Sequence, residues 1–170
     1  MNKAFFFDRD GVINSDHGHY YIYRKEDFRI NEGVINLMKT LSDLGYLIVI
    51  ISNQGGIAKG EYSVHDTETL HQFLKDEMQK EGIRIAEIYF CPHHHSIGKC
   101  LCRKPDSLLI EKAISRFQIN VQQSFFVGDS QRDMDAAAKA GIIGIRVPAN
   151  ADIFKEVSIF FEQHKLAILL

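Results

Sequence analysis

Short, strongly apolar runs alternate with longer amphipathic segments along most of this chain. Five runs have the length and composition of buried strands, the last being the weakest: Ala4 to Phe7, Tyr46 to Ile51, Ile85 to Phe90, Ser124 to Val127 and Ile143 to Val147. Most of the chain between these runs is predicted to be helical. Apolar residues have helical spacing over 34–44, 70–78 and 108–117, and a final helix is predicted over Ile153 to Leu166. This alternation predicts βαβ units, and therefore an α/β fold whose parallel sheet carries helices on both faces.

The size and charge of the chain narrow its class. Its 170 residues suit one domain spanning 1–170, and a core of that size needs no disulfides. The net charge of -2 leaves no basic surface for nucleic acid, and no run approaches the roughly 20 apolar residues of a membrane span. The N-terminal apolar run is too short for a signal peptide, so we expect a cytoplasmic protein. We also expect a monomer whose partner is a small phosphorylated metabolite.

Polar side chains follow the ends of the four stronger strands. Because the carboxyl ends of parallel strands meet at one edge of the sheet, these groups are expected to converge on one cleft. The groups are Asp8 and Asp10 after the first strand, Ser52-Asn53-Gln54 after the second, Cys91-Pro92-His93 after the third and Gly128-Asp129 after the fourth.

The segment Asp8-Arg9-Asp10-Gly11 places two carboxylates two residues apart at a strand end. Two such acids can divide the work of catalysis, with Asp8 attacking an electrophile and Asp10 moving protons. The alternative is an Asp-Gly turn with a second Asp beside it. The rest of the constellation favours catalysis.

A hard divalent cation fits the carboxylates of Asp8 and Asp129, since Mg²⁺ binds one or two carboxylates together with waters and a substrate phosphate. The cation would neutralise charge between an anionic nucleophile and an anionic phosphate, which otherwise repel each other. Lys104 is the candidate for a cationic side chain that does the same. Arg103 could grip a substrate oxygen with two hydrogen bonds.

Ser52 and Asp133 each have two interpretations. The Ser52 hydroxyl could hold phosphoryl oxygens, or its segment could be a plain turn. Asp133 could orient Lys104, or simply place a negative charge in the first turn of a helix.

The three cysteines of the chain lie within a short loop, 91–102, that also contains histidines. Cys91, His93, Cys100 and Cys102 together match a closed tetrahedral Cys3His zinc site. Such a site has no open position for water, so the zinc is expected to be structural and to hold the loop that carries Arg103 and Lys104. His94 or His95 could replace His93, and both are otherwise expected to be exposed.

The stretch Asn14 to Asn31 is polar and aromatic and has no clear period. We interpret it as an active-site loop or small flap.

Taken together, these motifs resemble those of the haloacid dehalogenase superfamily of phosphatases, and within it the zinc-loop group. The likeness runs from Phe5 to about Val147 and rests on the zinc loop and on four ordered motifs: Asp8-Arg9-Asp10-Gly11, Ser52-Asn53-Gln54, Arg103-Lys104-Pro105, and Val127-Gly128-Asp129 with Asp133. It implies a Rossmann-like fold without a large cap domain and a small zinc-binding loop.

The resemblance also implies roles for individual residues. Asp8 would form a phosphoenzyme and Asp10 would act as acid and base, while Ser52 and Lys104 would stabilise the phosphoryl group. Mg²⁺ would lie on Asp8, the Asp10 carbonyl and Asp129.

The zinc-loop group includes enzymes for two substrates. The segments 16–18 and 53–60 resemble those of the enzymes for D-glycero-D-manno-heptose 1,7-bisphosphate, which remove its 7-phosphate and serve the heptose branch of lipopolysaccharide biosynthesis. By that resemblance the substrate-binding residues would be Asp16, His17, Gly18, His19, Asn53, Gln54, Gly55 and Arg103. The short zinc loop, the segment Asp106-Ser107-Leu108 and His19 in place of a tyrosine differ from that pattern. Histidinol phosphate is therefore the alternative substrate, and a zinc-loop binding protein on a degenerate phosphatase fold is the alternative without enzyme activity.

Overall fold

Each of the five apolar runs forms a strand, and all five strands are parallel. The structure is a computed structural model that describes residues 1–165. In chain order its elements are β1 Lys3–Phe7, α1 Val34–Asp43, β2 Tyr46–Asn53, α2 Val64–Lys80, β3 Ile85–Cys91, α3 Leu108–Phe117, β4 Phe125–Gly128, α4 Gln131–Lys139, β5 Ile143–Arg146 and α5 Ile153–His164. Short 3-10 helices lie at Lys25–Asp27 and Val121–Gln123.

The sheet order is β3-β2-β1-β4-β5, so β1 lies at the centre. The chain builds outward from β1 to β3 and then returns to the other side of β1 to add β4 and β5. Phe7 is in register with Ile50 of β2 and with Val127 of β4. In such a sheet the crevice beyond the strand ends at the reversal point is the usual place for a ligand.

Alternation along β1 divides the core into two layers. Phe5 and Phe7 pack in one apolar cluster with residues of α1, α2 and α5, whereas Ala4 and Phe6 pack in the other with residues of α3 and α4. All four side chains are fully buried, because a central parallel strand is covered on both faces. The predicted architecture is therefore confirmed.

Helix α2 begins earlier than the periodic segment 70–78 indicated. Ser63 accepts a hydrogen bond from the Asp66 amide, and the Asp66 carboxylate accepts one from the Ser63 amide. This capping box satisfies amides that the first turn leaves free, which lets the helix start at Val64. At the other end of the chain α5 ends at His164; Leu166, the predicted end of this helix, lies outside the described residues.

These ten elements are all the α-helices and strands of residues 1–165. No cap domain is inserted between them. None of the helices in this part of the chain has the length and apolar character to span a bilayer.

Candidate active site

Asp8 and Asp129 meet at the point where the sheet order reverses. Asp8 follows β1 and Asp129 follows β4, and the Asp8 amide continues the ladder by donating to the Val127 carbonyl at 2.9 Å. Gly11 makes room for this approach: it has a φ of 81°, and a Cβ there would lie 2.3 Å from Asp129 Oδ2. Only glycine combines that left-handed backbone with that absence of volume.

Lys104 is the cation of this cluster, although it lies far from the others in sequence. Its ammonium group lies 2.8 Å from Asp8 Oδ1 and 2.7 Å from Asp133 Oδ1, and it donates to the Ile51 carbonyl at 2.7 Å. Asn53 holds the backbone of Lys104 from both sides, since its side-chain amide accepts from the Lys104 amide and donates to the Lys104 carbonyl. The side chain of Lys104 is only 2% exposed, so its three donors are all used inside the protein.

Asp133 has both of the roles considered for it. It pairs with Lys104, and it completes a capping box at the start of α4 by accepting from the amide and hydroxyl of Ser130. Burial opposes its charge, but Lys104 and Ser130 outweigh that cost and lower the pKa of Asp133. The side chain is therefore a fixed anion that keeps Lys104 in place.

Burial raises the pKa of Asp8 to about 7, with the nearby Asp133 adding to the rise and Lys104 opposing it. Burial and Asp133 also raise the pKa of Asp129. Lys104 has its own pKa raised, because the two carboxylates outweigh the effect of burial. Three carboxylates facing one ammonium group leave negative charge that a further cation would neutralise.

The donor set fits Mg²⁺. One carboxylate oxygen from each of Asp8, Asp129 and Asp133 can be chosen so that the three atoms lie within 4.8 Å of one another. Oxygen donors of this kind are the ones that Mg²⁺ prefers. Both oxygens of Asp133 are engaged, Oδ1 by Lys104 and Oδ2 by Ser130, whereas Lys104 contacts only Oδ1 of Asp8. Asp8 and Asp129 are therefore the carboxylates available to an ion.

The Asp10 carboxylate is held by hydrogen bonds on both oxygens. Oδ1 accepts from Arg9 Nε at 3.2 Å, from Arg9 Nη2 at 2.9 Å and from Asn14 Nδ2 at 3.0 Å. Oδ2 accepts from Gln54 Nε2 at 2.9 Å. A carboxylate with this many donors has a defined direction, as a group that exchanges protons with a bound substrate requires.

Gln54 links three parts of the site. Its amide nitrogen donates to Asp10 and, at 2.7 Å, to Ser52 Oγ, while its oxygen accepts from the Tyr62 hydroxyl at 2.6 Å. Ser52 is fully buried and does not line the active-site cavity. Its hydroxyl is thus placed next to Gln54, behind the surface that the cavity presents.

The loop 14–31 covers one side of the site, and only part of it reaches the cavity. Asp16 is fixed by Asn150, which donates to the Asp16 carboxylate at 2.8 Å and accepts from the Asp16 amide at 3.1 Å. Asp16 and His19 line the cavity, whereas His17 and Gly18 lie exposed outside it.

The cavity at the strand ends has a volume of about 270 Å³. It brings together ten of the predicted site residues: Asp8, Asp10, Asp16, His19, Asn53, Gln54, Gly55, Arg103, Lys104 and Asp129.

The four predicted zinc ligands lie together beside this cavity. Cys91 Sγ lies 3.6 Å from Cys100 Sγ, 3.1 Å from Cys102 Sγ and 3.6 Å from His93 Nδ1. His93 Nδ1 lies 3.3 Å from Cys102 Sγ. Three sulfurs and one imidazole nitrogen that converge in this way can surround one tetrahedral ion.

His94 is buried, so the expectation that it would be exposed is wrong. Its Nδ1 lies 2.7 Å from the Ser96 hydroxyl, and its ring packs against the tilted ring of His95 with 4.2 Å between centroids. Gly55 permits this packing, because a Cβ there would lie 2.8 Å from the His94 ring and 3.0 Å from Arg103 Nη1. Arg103 Nη1 in turn donates to the His93 carbonyl at 3.0 Å, which ties Arg103 to the zinc loop.

Outside the loop 14–31, three residues at or beside the cavity were not assigned a role from the sequence: Arg9, Tyr62 and Arg132. The position of Arg9 between two candidate acids was the only feature of the sequence that could have indicated a role for it. Tyr62 comes from a segment with no motif, and its ring stacks on Tyr23 at 4.9 Å. Arg132 is exposed and lines both this cavity and a larger one of about 610 Å³ on the outer side of the zinc loop.

Comparisons with known proteins agree with this geometry. The family model of polynucleotide kinase 3 phosphatase matches residues 3–143. D-glycero-beta-D-manno-heptose-1,7-bisphosphate 7-phosphatase of Helicobacter pylori is 44% identical over 142 residues, which cover 83% of this chain and 80% of the relative. The corresponding alpha-named enzyme of Campylobacter jejuni is 39% identical over 163 residues, 96% of this chain and 90% of that one.

Among solved structures, D,D-heptose 1,7-bisphosphate phosphatase from B. bronchiseptica, complexed with magnesium and phosphate, superposes with a TM-score of 0.80. The two chains are 27% identical, and the match covers 92% of this chain and 86% of that one. The chain therefore belongs to the family that the matching model describes and, within the haloacid dehalogenase superfamily, to the D-glycero-D-manno-heptose-1,7-bisphosphate 7-phosphatases.

Proposed function

We propose that this protein is a Mg²⁺-dependent phosphomonoesterase that removes the 7-phosphate of D-glycero-D-manno-heptose 1,7-bisphosphate. The observation that carries the proposal is the position of Asp8, which lies at the cavity with its carboxylate held by the buried Lys104. The identity to the heptose enzymes over most of the chain supports the same substrate.

In the first step an Asp8 oxygen forms a bond to phosphorus while the bond from phosphorus to the sugar oxygen breaks. Asp10 gives its proton to the departing oxygen, so the sugar leaves as an alcohol. In the second step water attacks the aspartyl-phosphate and gives a proton back to Asp10, which releases inorganic phosphate and restores Asp8.

The fixed charges of the site favour this reaction. Lys104 lies beside Asp8, where it can neutralise negative charge on the phosphoryl oxygens without moving during the reaction. A Mg²⁺ ion held by Asp8 and Asp129, with the Asp10 carbonyl as a further proposed ligand, would polarise the phosphoryl group. Ser52, bound to Gln54, supports the Asp10 side of the site from behind the cavity surface.

We further propose that Cys91, His93, Cys100 and Cys102 hold a structural zinc ion. Support comes from the spacing of their ligand atoms and from the position of the loop, which leads directly into Arg103 and Lys104.

Thiolate ligands persist in a reducing compartment, which supports a cytoplasmic location. The monomeric state stays a prediction.

The charges at the cavity mouth favour a bisphosphate over histidinol phosphate. Arg103 and Arg132 both line the cavity and continue into the larger one beside it. Within residues 1–165, Arg132 makes no hydrogen bond or ion pair of its own, so its guanidinium is available to a ligand. A second phosphate would be attracted here, whereas a cationic substrate arm would be repelled.

A phosphate-release screen tests the substrate. With Mg²⁺ present, we expect the highest kcat/KM for heptose 1,7-bisphosphate, with much lower values for histidinol phosphate, a nucleoside 3-phosphate and heptose 7-phosphate. Both anomers of the bisphosphate belong in the screen, because one relative is named for the beta and another for the alpha sugar. A preference for histidinol phosphate would contradict the proposed substrate but not the phosphatase mechanism.

The variant Arg132→Gln tests whether the cavity mouth recognises the second phosphate. Loss of one charge-assisted hydrogen bond costs roughly 2 kcal/mol, so we expect kcat/KM for the bisphosphate to fall by about tenfold or more. The same constant for heptose 7-phosphate should change little, since that ester has no second phosphate. Lys155→Gln, which removes an exposed cation on α5 that lines neither cavity, is the matched control and should alter neither value. An equal loss on both esters would contradict this role of Arg132.

A further inference from the structure

His71 is a buried histidine on α2 that lies close to the catalytic motif without touching the cavity. It is 5% exposed, and its Nε2 lies 3.0 Å from Nη1 of Arg9. Its ring meets the Phe90 ring edge to face, with centroids 5.4 Å apart. Neither Asp8 nor Asp10 contacts it directly, and the reaction as described does not use it.

Arg9 is the residue that His71 contacts, and its guanidinium is unusual in being fully buried. Nε and Nη2 both donate to Asp10 Oδ1, and Nη2 also donates to the Ile22 carbonyl at 2.5 Å. These bonds occupy one edge of the group and leave Nη1 to find a partner inside the protein. A guanidinium cannot give up its proton there, so an acceptor is required.

His71 provides that acceptor. Arg9 can only donate, so Nε2 of His71 must carry the lone pair and the ring proton must lie on Nδ1. Burial, together with the charges of Arg9 and Lys75, lowers the pKa of His71 to about 2. The imidazole is therefore neutral at physiological pH and can accept a hydrogen bond from a cation.

We propose that His71 is a positioning residue that acts through Arg9 to aim the Asp10 carboxylate at the oxygen of the leaving group. His71 anchors one end of the guanidinium, and the opposite edge then faces Asp10 Oδ1 with two hydrogen bonds. The inference rests on the proposed role of Asp10 as the acid of the first step. It adds a second positioning contact for Asp10, from a residue of α2 that lies 61 positions away in sequence.

Replacement of His71 by leucine should disrupt the hydrogen bonds that hold Arg9 against Asp10. Leucine is similar in size but has no acceptor, so a buried donor of Arg9 loses its partner and the guanidinium is expected to shift. A displacement of about 1 Å in a catalytic group can cost on the order of a hundredfold in rate. Glutamine has an amide oxygen that can accept from Arg9, so His71→Gln should preserve the geometry.

The experiment compares two leaving groups in the first step. Rapid-quench kinetics would measure the burst of alcohol released from heptose 1,7-bisphosphate and the burst of p-nitrophenolate from p-nitrophenyl phosphate. An alkoxide needs a proton from Asp10, whereas p-nitrophenolate leaves without one. For His71→Leu we expect the sugar burst to slow by about tenfold or more and the p-nitrophenolate burst by less than about threefold. His71→Gln should keep both bursts near the wild-type rates.

A control separates positioning from stability. Leu74→Ala removes a buried apolar side chain from the same helix, one that offers Arg9 no acceptor, and we expect it to lower the melting temperature while leaving both bursts unchanged. If His71→Leu melts below the assay temperature, His71→Asn should show the same selective loss, because its amide stays polar but its side chain is one methylene shorter than that of glutamine and does not reach Arg9 Nη1.

The outcomes are distinct for the two proposals. Equal slowing of both bursts, or no slowing in a folded His71→Leu protein, would overturn the inference while leaving the phosphatase function in place. Failure of the wild-type chain to hydrolyse any phosphate ester would overturn the proposed function itself.

Discussion

Asp8→Asn is expected to abolish phosphate release, with a loss of at least about 10⁴-fold in kcat, since removal of a nucleophile eliminates the covalent pathway. Asparagine has nearly the same shape as aspartate, but its amide cannot form the acyl-phosphate bond. Lys104 keeps its second carboxylate partner, Asp133, so the fold should persist. Phosphate release and trapping of labelled phosphoenzyme measure the effect, and zinc content and the melting temperature should remain close to wild-type values.

Asp135→Asn is the matched control for this experiment. Asp135 lies exposed on α4, where it accepts a hydrogen bond from Gln131, and it does not line the cavity. We expect the control to retain full activity. Undiminished turnover by Asp8→Asn would contradict the proposed mechanism and favour the alternative of a binding protein on a degenerate phosphatase fold.

Loss of the zinc ion is expected to have the second largest effect. Cys91 is fully buried and lies within 3.6 Å of both other sulfurs, so Cys91→Ser should reduce the zinc content from near one ion per chain to near zero. The released loop would no longer hold Arg103 and Lys104, and kcat should fall by about a hundredfold, as expected when catalytic groups are displaced by about 1 Å. Metal analysis and phosphate release would be measured on the same preparation, with the melting temperature also expected to fall.

His95→Ala distinguishes the ligand set from its neighbours. His95 lies outside the converging sulfurs and His93 Nδ1, so the variant should bind zinc as the wild type does. His93→Ala should lose the ion. If purified wild-type protein contains no zinc, or if the loss of zinc follows His95 in place of His93, the proposed ligand set is wrong.

Much of the fold was accessible from the sequence because its signals are local. The strand Ala4 to Phe7 was recognisable as a continuous apolar run, and a parallel strand covered on both faces has that composition. The shared edge of the strand ends then predicted that Asp8 and Asp129 would meet, as they do across the reversal of sheet order. The start of α2 was less accessible, because its capping box lies outside the periodic apolar segment.

The sequence by itself determined the five strands, the sheet edge that holds the chemistry, and the cluster of three cysteines and a histidine. These follow from hydrophobic periodicity and from the chemical types of neighbouring residues, which are properties of short segments. Only the tertiary structure decided which partner each buried polar group received. Lys104 lies between Asp8 and Asp133, Ser52 lies behind the cavity, and Arg9 finds His71 on a helix 62 residues away. Such pairings depend on the packing of distant elements and on the cost of leaving a buried donor unsatisfied, and no local pattern encodes them.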